Sequence, residues 1–285
     1  MSAFDTRICQ LGEGPLWHPK INTLFWFDIL GRALFRRSGN DTHKYAFDEY
    51  HSAAGWVDSE TLVIASETAL WQFDIASGNR THLVDLEADT PITRSNDGRA
   101  DPWGGFWIGT MGKNAEPQAG AIYRYHRGEL RKLVNDITIS NAICFAPDKS
   151  HAYYTDTKQA KIMRLPLHPG TGWPQGDAEV LVDLAPENLN PDGAVTDAAG
   201  NIWVALWGAG EVACFSSDGT ELRRVNLPAL QPTCPAFGGP DLRDLYVTTA
   251  AVGLTPAQLK AQPENGMTFC IPDVGQGVAE PQVIL

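Results

Sequence analysis

The sequence predicts an all-β protein, a six-bladed β-propeller. Three observations support this prediction: a unit of alternating, aromatic-rich runs recurs six times, its copies are separated by the length of a four-stranded blade, and almost no segment has helical periodicity. The chain of 285 residues contains 27 glycines and 9 tryptophans, which is typical of many short strands joined by tight turns. We expect a single domain over residues 1–285.

A turn residue aligns the copies of the repeat. Successive anchors are 39, 43, 47, 49 and 44 residues apart, which matches a blade of four strands. The anchors are Pro19, Asp58, Asp101, Asp148, Asp197 and Asp241. Within a copy the side chains alternate with the period of a strand, as in the run from Asn201 to Leu206. A β-sandwich of similar length is the alternative, but it does not account for six regular intervals.

The two ends of the chain supply the remaining elements. We expect Asp5–Gln10, which is too short for a blade, to form the outer strand of the last blade beside Gly266–Ile271 and so to close the ring. One short helix is predicted from Pro256 to Ala261, with Thr255 as its N-cap.

Composition and charge exclude several classes of protein. No apolar run approaches the roughly 20 residues of a membrane-spanning helix, and the start MSAFDTRICQ lacks the pattern of a secretory signal. We therefore expect a cytoplasmic protein. The net charge of −12 disfavours nucleic acid and anionic membranes as partners. Five cysteines without CxxC pairing are interpreted as buried small side chains rather than a disulfide framework.

Four polar clusters stand at the same phase of the repeat, just before the predicted inner strands. They are Glu13 between two glycines, Arg94–Gly98, Ile139–Ala142 and Asn190–Gly193. Each cluster alone is explained by turn chemistry. Equivalent points of different blades converge at the axis of a propeller, however, and the carboxylates and carboxamides of these clusters are oxygen donors without sulfur, which hard divalent cations prefer. Glu13, Asn141 and Asp192 would bring two negative charges, which balance one divalent ion.

Other chemistries have less support. The 7 histidines show no HxxxH or HxH spacing, so a zinc site of imidazoles is disfavoured. Ser95 and Ser140 lack the GxSxG context of a serine nucleophile. Tryptophans are expected mainly in blade cores and rims, but Trp207, placed at the end of the fifth inner strand, is also a candidate for the pocket wall.

Four motifs follow one another along most of the chain: LGEGPLW around Glu13, RSNDGRADPWGGFWIGTM from Arg94, ISNAICFAPD from Ile139 and PDGAVTDAAGNIWVA from Pro191. On these motifs the sequence resembles the SMP-30/gluconolactonase/LRE family, which includes regucalcin and bacterial sugar lactonases. The resemblance covers roughly residues 8–275. It implies a six-bladed propeller with a central divalent metal site formed by Glu13, Asn141 and Asp192.

The resemblance also implies substrate contacts and a reaction. Asn96 would lie beside the cation and contact substrate, and Arg94 would bind the hydroxyls or carbonyl side of a lactone. Some relatives place an acidic substrate-contacting residue three positions after Gly-Thr-Met, where this chain has Asn114, with Glu116 close by. The implied activity is hydrolysis of an aldonolactone. Our hypothesis for its mechanism is that the bound divalent metal polarises the lactone carbonyl and that Asp192 acts as general base. Oxygen ligands would accept calcium, zinc, manganese or magnesium.

Two other functions are left open by the sequence. One is a non-catalytic calcium-binding or regulatory propeller, and the other is a phosphotriesterase-like or aryl-esterase hydrolase. A purely structural ion would be enclosed by the protein. Arg94 and Asn96 instead add further polar groups at the opening of the predicted metal site, which favours catalysis. The substrate is expected to be a small-molecule sugar lactone whose configuration the sequence leaves open. A closed ring has few exposed strand edges, so we expect a monomer.

Overall fold

The fold is described from a computed structural model that covers all 285 residues. It contains six antiparallel sheets of four strands, and the first strands of neighbouring sheets contact each other all the way round a ring. The predicted six-bladed β-propeller is confirmed. The four polar clusters discussed above belong to the innermost strands of four of the six sheets, so the ring positions them around one axis.

The first three blades follow the chain in order, from the innermost to the outermost strand. Blade 1 consists of β2 (Gly12–His18), β3 (Thr23–Asp28), β4 (Ala33–Ser38) and β5 (Asp41–Ala46). Blade 2 consists of β6 (His51–Trp56), β7 (Thr61–Ser66), β8 (Ala69–Asp74) and β9 (Arg80–Asp85). Blade 3 consists of β10 (Thr93–Ala100), β11 (Phe106–Gly112), β12 (Gly120–His126) and β13 (Glu129–Ile137).

The last three blades repeat this order, and the sixth takes one strand from the N-terminus. Blade 4 consists of β14 (Ser140–Phe145), β15 (His151–Asp156), β16 (Lys161–Pro166) and β17 (Glu179–Asp183). Blade 5 consists of β18 (Asn190–Thr196), β19 (Ile202–Trp207), β20 (Glu211–Phe215) and β21 (Glu221–Asn226). Blade 6 consists of β22 (Pro232–Gly238), β23 (Asp244–Thr249), β24 (Thr268–Ile271) and β1 (Ser2–Asp5).

The ring closes as expected, but with a different segment. β1 pairs antiparallel with β24, so only Asp5 of the predicted Asp5–Gln10 lies in the closing strand. Phe4 explains the shift, because its ring packs edge-on against Tyr246 with 4.8 Å between centroids. Asp5 then turns the chain by accepting hydrogen bonds from the backbone and guanidinium of Arg7.

Each pair of adjacent blades has its own apolar core. Six clusters of buried side chains occur, one at each blade interface, because alternate residues of a strand point to opposite neighbours. In β19, for example, Ile202 and Val204 pack against blade 4, whereas Trp203 packs against blade 6. No blade could bury both faces alone, so the ring itself creates the core.

A one-residue irregularity interrupts every inner strand near its start. The register shifts fall between Glu13 and Leu16, His51 and Ala53, Ser95 and Gly98, Asn141 and Cys144, Pro191 and Ala194, and Pro232 and Pro235. Such bulges bend a strand and redirect its side chains. The polar clusters therefore lie in the inner strands, at these bulges, and not before the inner strands as the sequence suggested.

Little helix is present. The predicted helix α1 spans Pro256–Ala261 with Thr255 as its N-cap, as expected, and the Gln258 side chain completes a reciprocal cap that was not predicted. Two short 3₁₀ turns span Thr157–Gln159 and Ala185–Glu187. No helix in the chain has the length and apolar character needed to span a membrane.

Candidate active site

A cavity of about 320 Å³ lies on the axial face of the propeller at which the inner strands begin. Its walls contain five of the six side chains predicted from the sequence: Glu13, Arg94, Asn96, Asn141 and Asp192. They come from blades 1, 3, 4 and 5, and each stands in or beside the bulge of its inner strand. Because the bulges occupy equivalent places in the ring, residues far apart in sequence meet here.

The two carboxylates of the cavity are buried, with Glu13 only 3% and Asp192 only 5% exposed. Burial and then repulsion from Asp97 raise the pKa of Glu13 to about 8. Burial and then the negative charge of Glu13 raise the pKa of Asp192 well above its ordinary value. The neighbouring guanidinium of Arg94 remains charged at neutral pH, since burial lowers its pKa only to about 10. For Glu13 and Asp192 both to be ionised at neutral pH, the cavity therefore needs positive charge in addition to that of Arg94.

A chain of hydrogen bonds connects blades 3, 4 and 5 across the cavity wall. Arg94 Nη1 donates to Asn96 Oδ1 at 2.8 Å, and Asn96 Nδ2 donates to Asn141 Oδ1 at 3.0 Å. Asn141 Nδ2 donates to the hydroxyl of Thr157 at 2.9 Å, and that hydroxyl donates to the carbonyl of Pro191 at 2.8 Å. Asn96 Nδ2 also donates to the carbonyl of Ser140 at 2.9 Å.

The donor set of the cavity fits a hard divalent cation. Asn141 Oδ1 accepts one hydrogen bond from Asn96, and an amide oxygen has two lone pairs. Asp192 accepts no hydrogen bond from another side chain, and Glu13 receives only the backbone N–H of Gly14, at 3.1 Å. Nowhere in the chain do three or more His, Cys, Asp or Glu side chains gather as a metal-binding group, so a cation here depends on the amide oxygen as well as the carboxylates.

Asn114 is the one predicted site residue that the structure leaves outside the cavity. It is exposed, in the turn between β11 and β12, and its backbone N–H and Nδ2 both donate to the Glu116 carboxylate at 3.0 Å. The neighbouring Lys113 forms an ion pair with Glu67. The substrate contact of Asn114 therefore stays a prediction from the resemblance.

Sequence reasoning missed two polar residues of the cavity, Thr157 and Lys158. They follow β15, the second strand of blade 4, which runs antiparallel to β14 and so returns to the cavity end. The sequence could have indicated both residues. In an antiparallel blade, the residue that follows the second strand lies beside the start of the inner strand, where the polar clusters were expected to converge. Trp207 lines the cavity, as expected of a candidate for the pocket wall. It was predicted at the end of the inner strand of blade 5, but it ends β19, the second strand of that blade. The remaining wall is formed by Leu11, Met111, Ile139, Asn190 and Val252.

Comparison with known proteins identifies the family. The family model described as "SMP-30/Gluconolactonase/LRE-like region" matches residues 11–251, which include all five cavity residues predicted from the sequence. The chain belongs to this family.

Relatives within the family cover nearly the whole chain. A Rhizobium meliloti protein provisionally named a sugar lactone lactonase is 42% identical over 95% of this chain and 93% of its own. The L-arabinolactonase of Azospirillum brasilense is 35% identical over 93% of this chain and 89% of its own. The solved structure of a calcium-binding protein, regucalcin, from Agrobacterium tumefaciens is 41% identical, with a TM-score of 0.97 over 99% of this chain and 97% of that one.

Proposed function

We propose that this protein hydrolyses a sugar-acid lactone to the free acid, with one divalent cation held by Glu13, Asn141 and Asp192. The observation that carries the proposal is the meeting of two buried carboxylates, an amide oxygen and a guanidinium in one cavity. Relatives named as a sugar lactone lactonase, an L-arabinolactonase and a 6-deoxy-6-sulfogluconolactonase support lactone hydrolysis as the reaction class. Their different names leave the preferred sugar to experiment.

The residues of the cavity have separate tasks in this reaction. A bound divalent cation supplies Lewis acidity, which polarises a carbonyl and lowers the pKa of water. Asp192 accepts a proton from the water that attacks the lactone carbonyl carbon. The bond from that carbon to the ring oxygen then breaks, and Asp192 returns the proton to the ring oxygen. The free products are one carboxyl group and one hydroxyl group.

In this proposal Arg94 and Asn96 hold the substrate. Arg94 uses only Nη1 within the protein, for the carbonyl of Ser95 and for Asn96, both at 2.8 Å. Its Nε and Nη2 groups are free to donate to hydroxyl or carbonyl oxygens of a lactone. Because Asn96 connects Arg94 to Asn141, the substrate-binding and cation-binding residues are held in one network.

The experiment is a pH-indicator assay of metal-stripped protein with a panel of aldonolactones, with and without each divalent cation. We expect cation-dependent acid release, and we expect Asp192→Asn to lower kcat at saturating cation by about 10²- to 10⁴-fold, the usual contribution of a general base. Glu13→Gln is the matched variant, since it should weaken cation binding more than it lowers kcat at saturation. Wild-type kcat in Asp192→Asn would show that Asp192 is not the base.

A non-catalytic calcium-binding propeller is the second candidate. It is favoured by the likeness to the Agrobacterium tumefaciens regucalcin, which is described as a calcium-binding protein. The same assay separates the two functions. Protein that binds a cation tightly yet releases no acid from any lactone would establish the binding function instead.

A further inference from the structure

The hydroxyl of Thr157 joins the two blades that carry Asn141 and Asp192. Thr157 begins the 3₁₀ turn after β15, is only 9% exposed and lines the cavity. Its Oγ1 lies 2.9 Å from Asn141 Nδ2 in blade 4 and 2.8 Å from the carbonyl oxygen of Pro191 in blade 5. Pro191 directly precedes Asp192, so this one hydroxyl contacts a candidate ligand of blade 4 and the residue next to a candidate ligand of blade 5.

The chemistry at the two ends of the chain of hydrogen bonds determines its direction. At one end is the Arg94 guanidinium, which can only donate, and at the other is the Pro191 carbonyl, which can only accept. The single hydroxyl hydrogen of Thr157 must therefore go to Pro191, so Thr157 must accept from Asn141. Asn141 then has to present its NH₂ to Thr157 and its Oδ1 to Asn96 and the cavity.

We propose that Thr157 is a positioning residue that holds the Asn141 amide with its oxygen towards the cation site. It also maintains the spacing between Asn141 and Asp192, because its hydroxyl connects β14 to β18. The inference rests on the proposed function in one respect, the binding of a cation by Asn141. Thr157 itself does not contact the cation in this assignment, and its effect is transmitted through the orientation of Asn141.

The test is the cation affinity of the full-length, metal-stripped protein, measured by calorimetry with Ca²⁺ and with Zn²⁺, each alone. Thr157→Val keeps the shape of the side chain but removes the hydroxyl, so the Asn141 amide loses the acceptor of its NH₂ group and is held only by the hydrogen bond from Asn96 to its Oδ1. We expect the dissociation constant to rise about 10- to 100-fold, the usual effect of losing a residue that orients a metal ligand. Thr157→Ser retains the hydroxyl, so this variant should bind the cation with a dissociation constant within about threefold of that of wild type. Should Thr157→Val be unstable, Thr157→Ala removes the same group.

Thr196→Val is the matched control. Thr196 is also buried, and its hydroxyl also donates to a carbonyl of a neighbouring blade, that of Phe145 at 2.7 Å. It stands at the other end of β18, away from the cavity, so its loss should lower the melting temperature without changing cation affinity.

The outcomes distinguish the inference from the proposed function. If wild type binds a cation and Thr157→Val binds it equally well, the positioning role is wrong and the proposed function stands. If Thr196→Val weakens binding as much as Thr157→Val, the effect is general destabilisation, which also overturns the positioning role. If wild-type protein binds neither cation, the cation site and the inference built on it are both wrong.

Discussion

Two aspartates on or just after one strand show how residues of the same type serve different purposes. The carboxylate of Asp197 accepts hydrogen bonds from the side chains of Asn201 at 2.9 Å and Trp203 at 3.1 Å, which is turn chemistry. Asp192 lies five positions earlier, in the bulge of β18, and accepts none from any other side chain. A buried carboxylate without such partners is costly unless a ligand compensates it. Asp192 is therefore the residue of this strand suited to a functional role.

Lys158 is the residue whose charge we expect to affect substrate choice. It lines the cavity, is exposed, and forms no ion pair with the protein. Lys158→Gln should raise KM about two- to fivefold for lactones that carry an anionic substituent and leave neutral lactones unchanged, since an exposed ion pair contributes at most about 1 kcal/mol. Steady-state kinetics with a charged and a neutral lactone of the same ring size measure this.

Lys113→Gln is the control for that measurement. Lys113 is already paired with Glu67 and is not part of the cavity wall. An equal change in KM for both lactones, or an equal effect of Lys113→Gln, would show that Lys158 does not read substrate charge.

At the scale of single elements, the bulged inner strand is the unit that builds the site. In β2, Gly14 adopts a left-handed φ of 53° directly after Glu13, and a Cβ there would collide with the backbone of Ser52 in blade 2. The bulge turns the Glu13 side chain towards the cavity while the rest of β2 keeps its register. Ala142 adopts a similar φ of 55° after Asn141 in β14. The same local geometry thus presents a polar side chain from two different blades.

The closing strand β1 provides a test at this scale. Phe4→Ala removes edge-on contacts with Tyr246 and with Trp26, whose ring centroid lies 6.3 Å away, so the seam between the two ends of the chain is weakened. We expect a loss of about 2 kcal/mol in the free energy of unfolding, or about 5 °C in melting temperature, by calorimetry. Ile8→Ala, in the segment that the sequence suggested as the closing strand, is 51% exposed and should have almost no effect. A larger effect of Ile8→Ala would show that the seam is formed differently.

At the scale of the whole molecule, Arg99 joins four blades. It lies near the propeller axis, towards the axial face opposite the candidate site. It stands in β10 of blade 3 and donates to the carbonyls of Ile143 at 3.2 Å, Ala194 at 3.1 Å and Pro235 at 3.4 Å, in blades 4, 5 and 6. It also forms a buried ion pair with Glu280 of the C-terminal segment. That segment continues across blades 2 and 3 through hydrogen bonds such as Val283 N–H to the Trp56 carbonyl.

Removing this charge should destabilise the ring without disturbing the cavity. We expect Arg99→Met to lower the free energy of unfolding by about 3 kcal/mol or more, because Glu280 is left buried and unpaired. Cation affinity should be unchanged, since Arg99 lies at the other end of β10 from the cavity residues. Combining Arg99→Met with Glu280→Gln should cost less than the sum of the two single changes in denaturant unfolding. A strictly additive result would mean that the ion pair contributes no coupling energy.

The architecture and most of the candidate site could be predicted from the sequence. Period-two alternation and regular spacing are local properties, and six copies of them suffice to specify six blades and the six interfaces that bury their faces. Residues at one phase of a repeat meet wherever the ring brings equivalent points together. For this reason Glu13, Arg94, Asn96, Asn141 and Asp192 were predicted together and share one cavity.

Only the tertiary structure decided what depends on contacts between blades and between the chain ends. Thr157 and Lys158 reach the cavity because β15 returns antiparallel to β14, whereas Asn114 lies outside the cavity, in a turn whose Lys113 forms an ion pair with Glu67 of blade 2. Phe4 sets the closing strand at Ser2–Asp5 because its ring packs against Tyr246 from the other end of the chain. These positions were not determined by the sequence alone, because local pattern specifies each strand, whereas the energy that selects among loop and strand placements comes from partners distant in sequence.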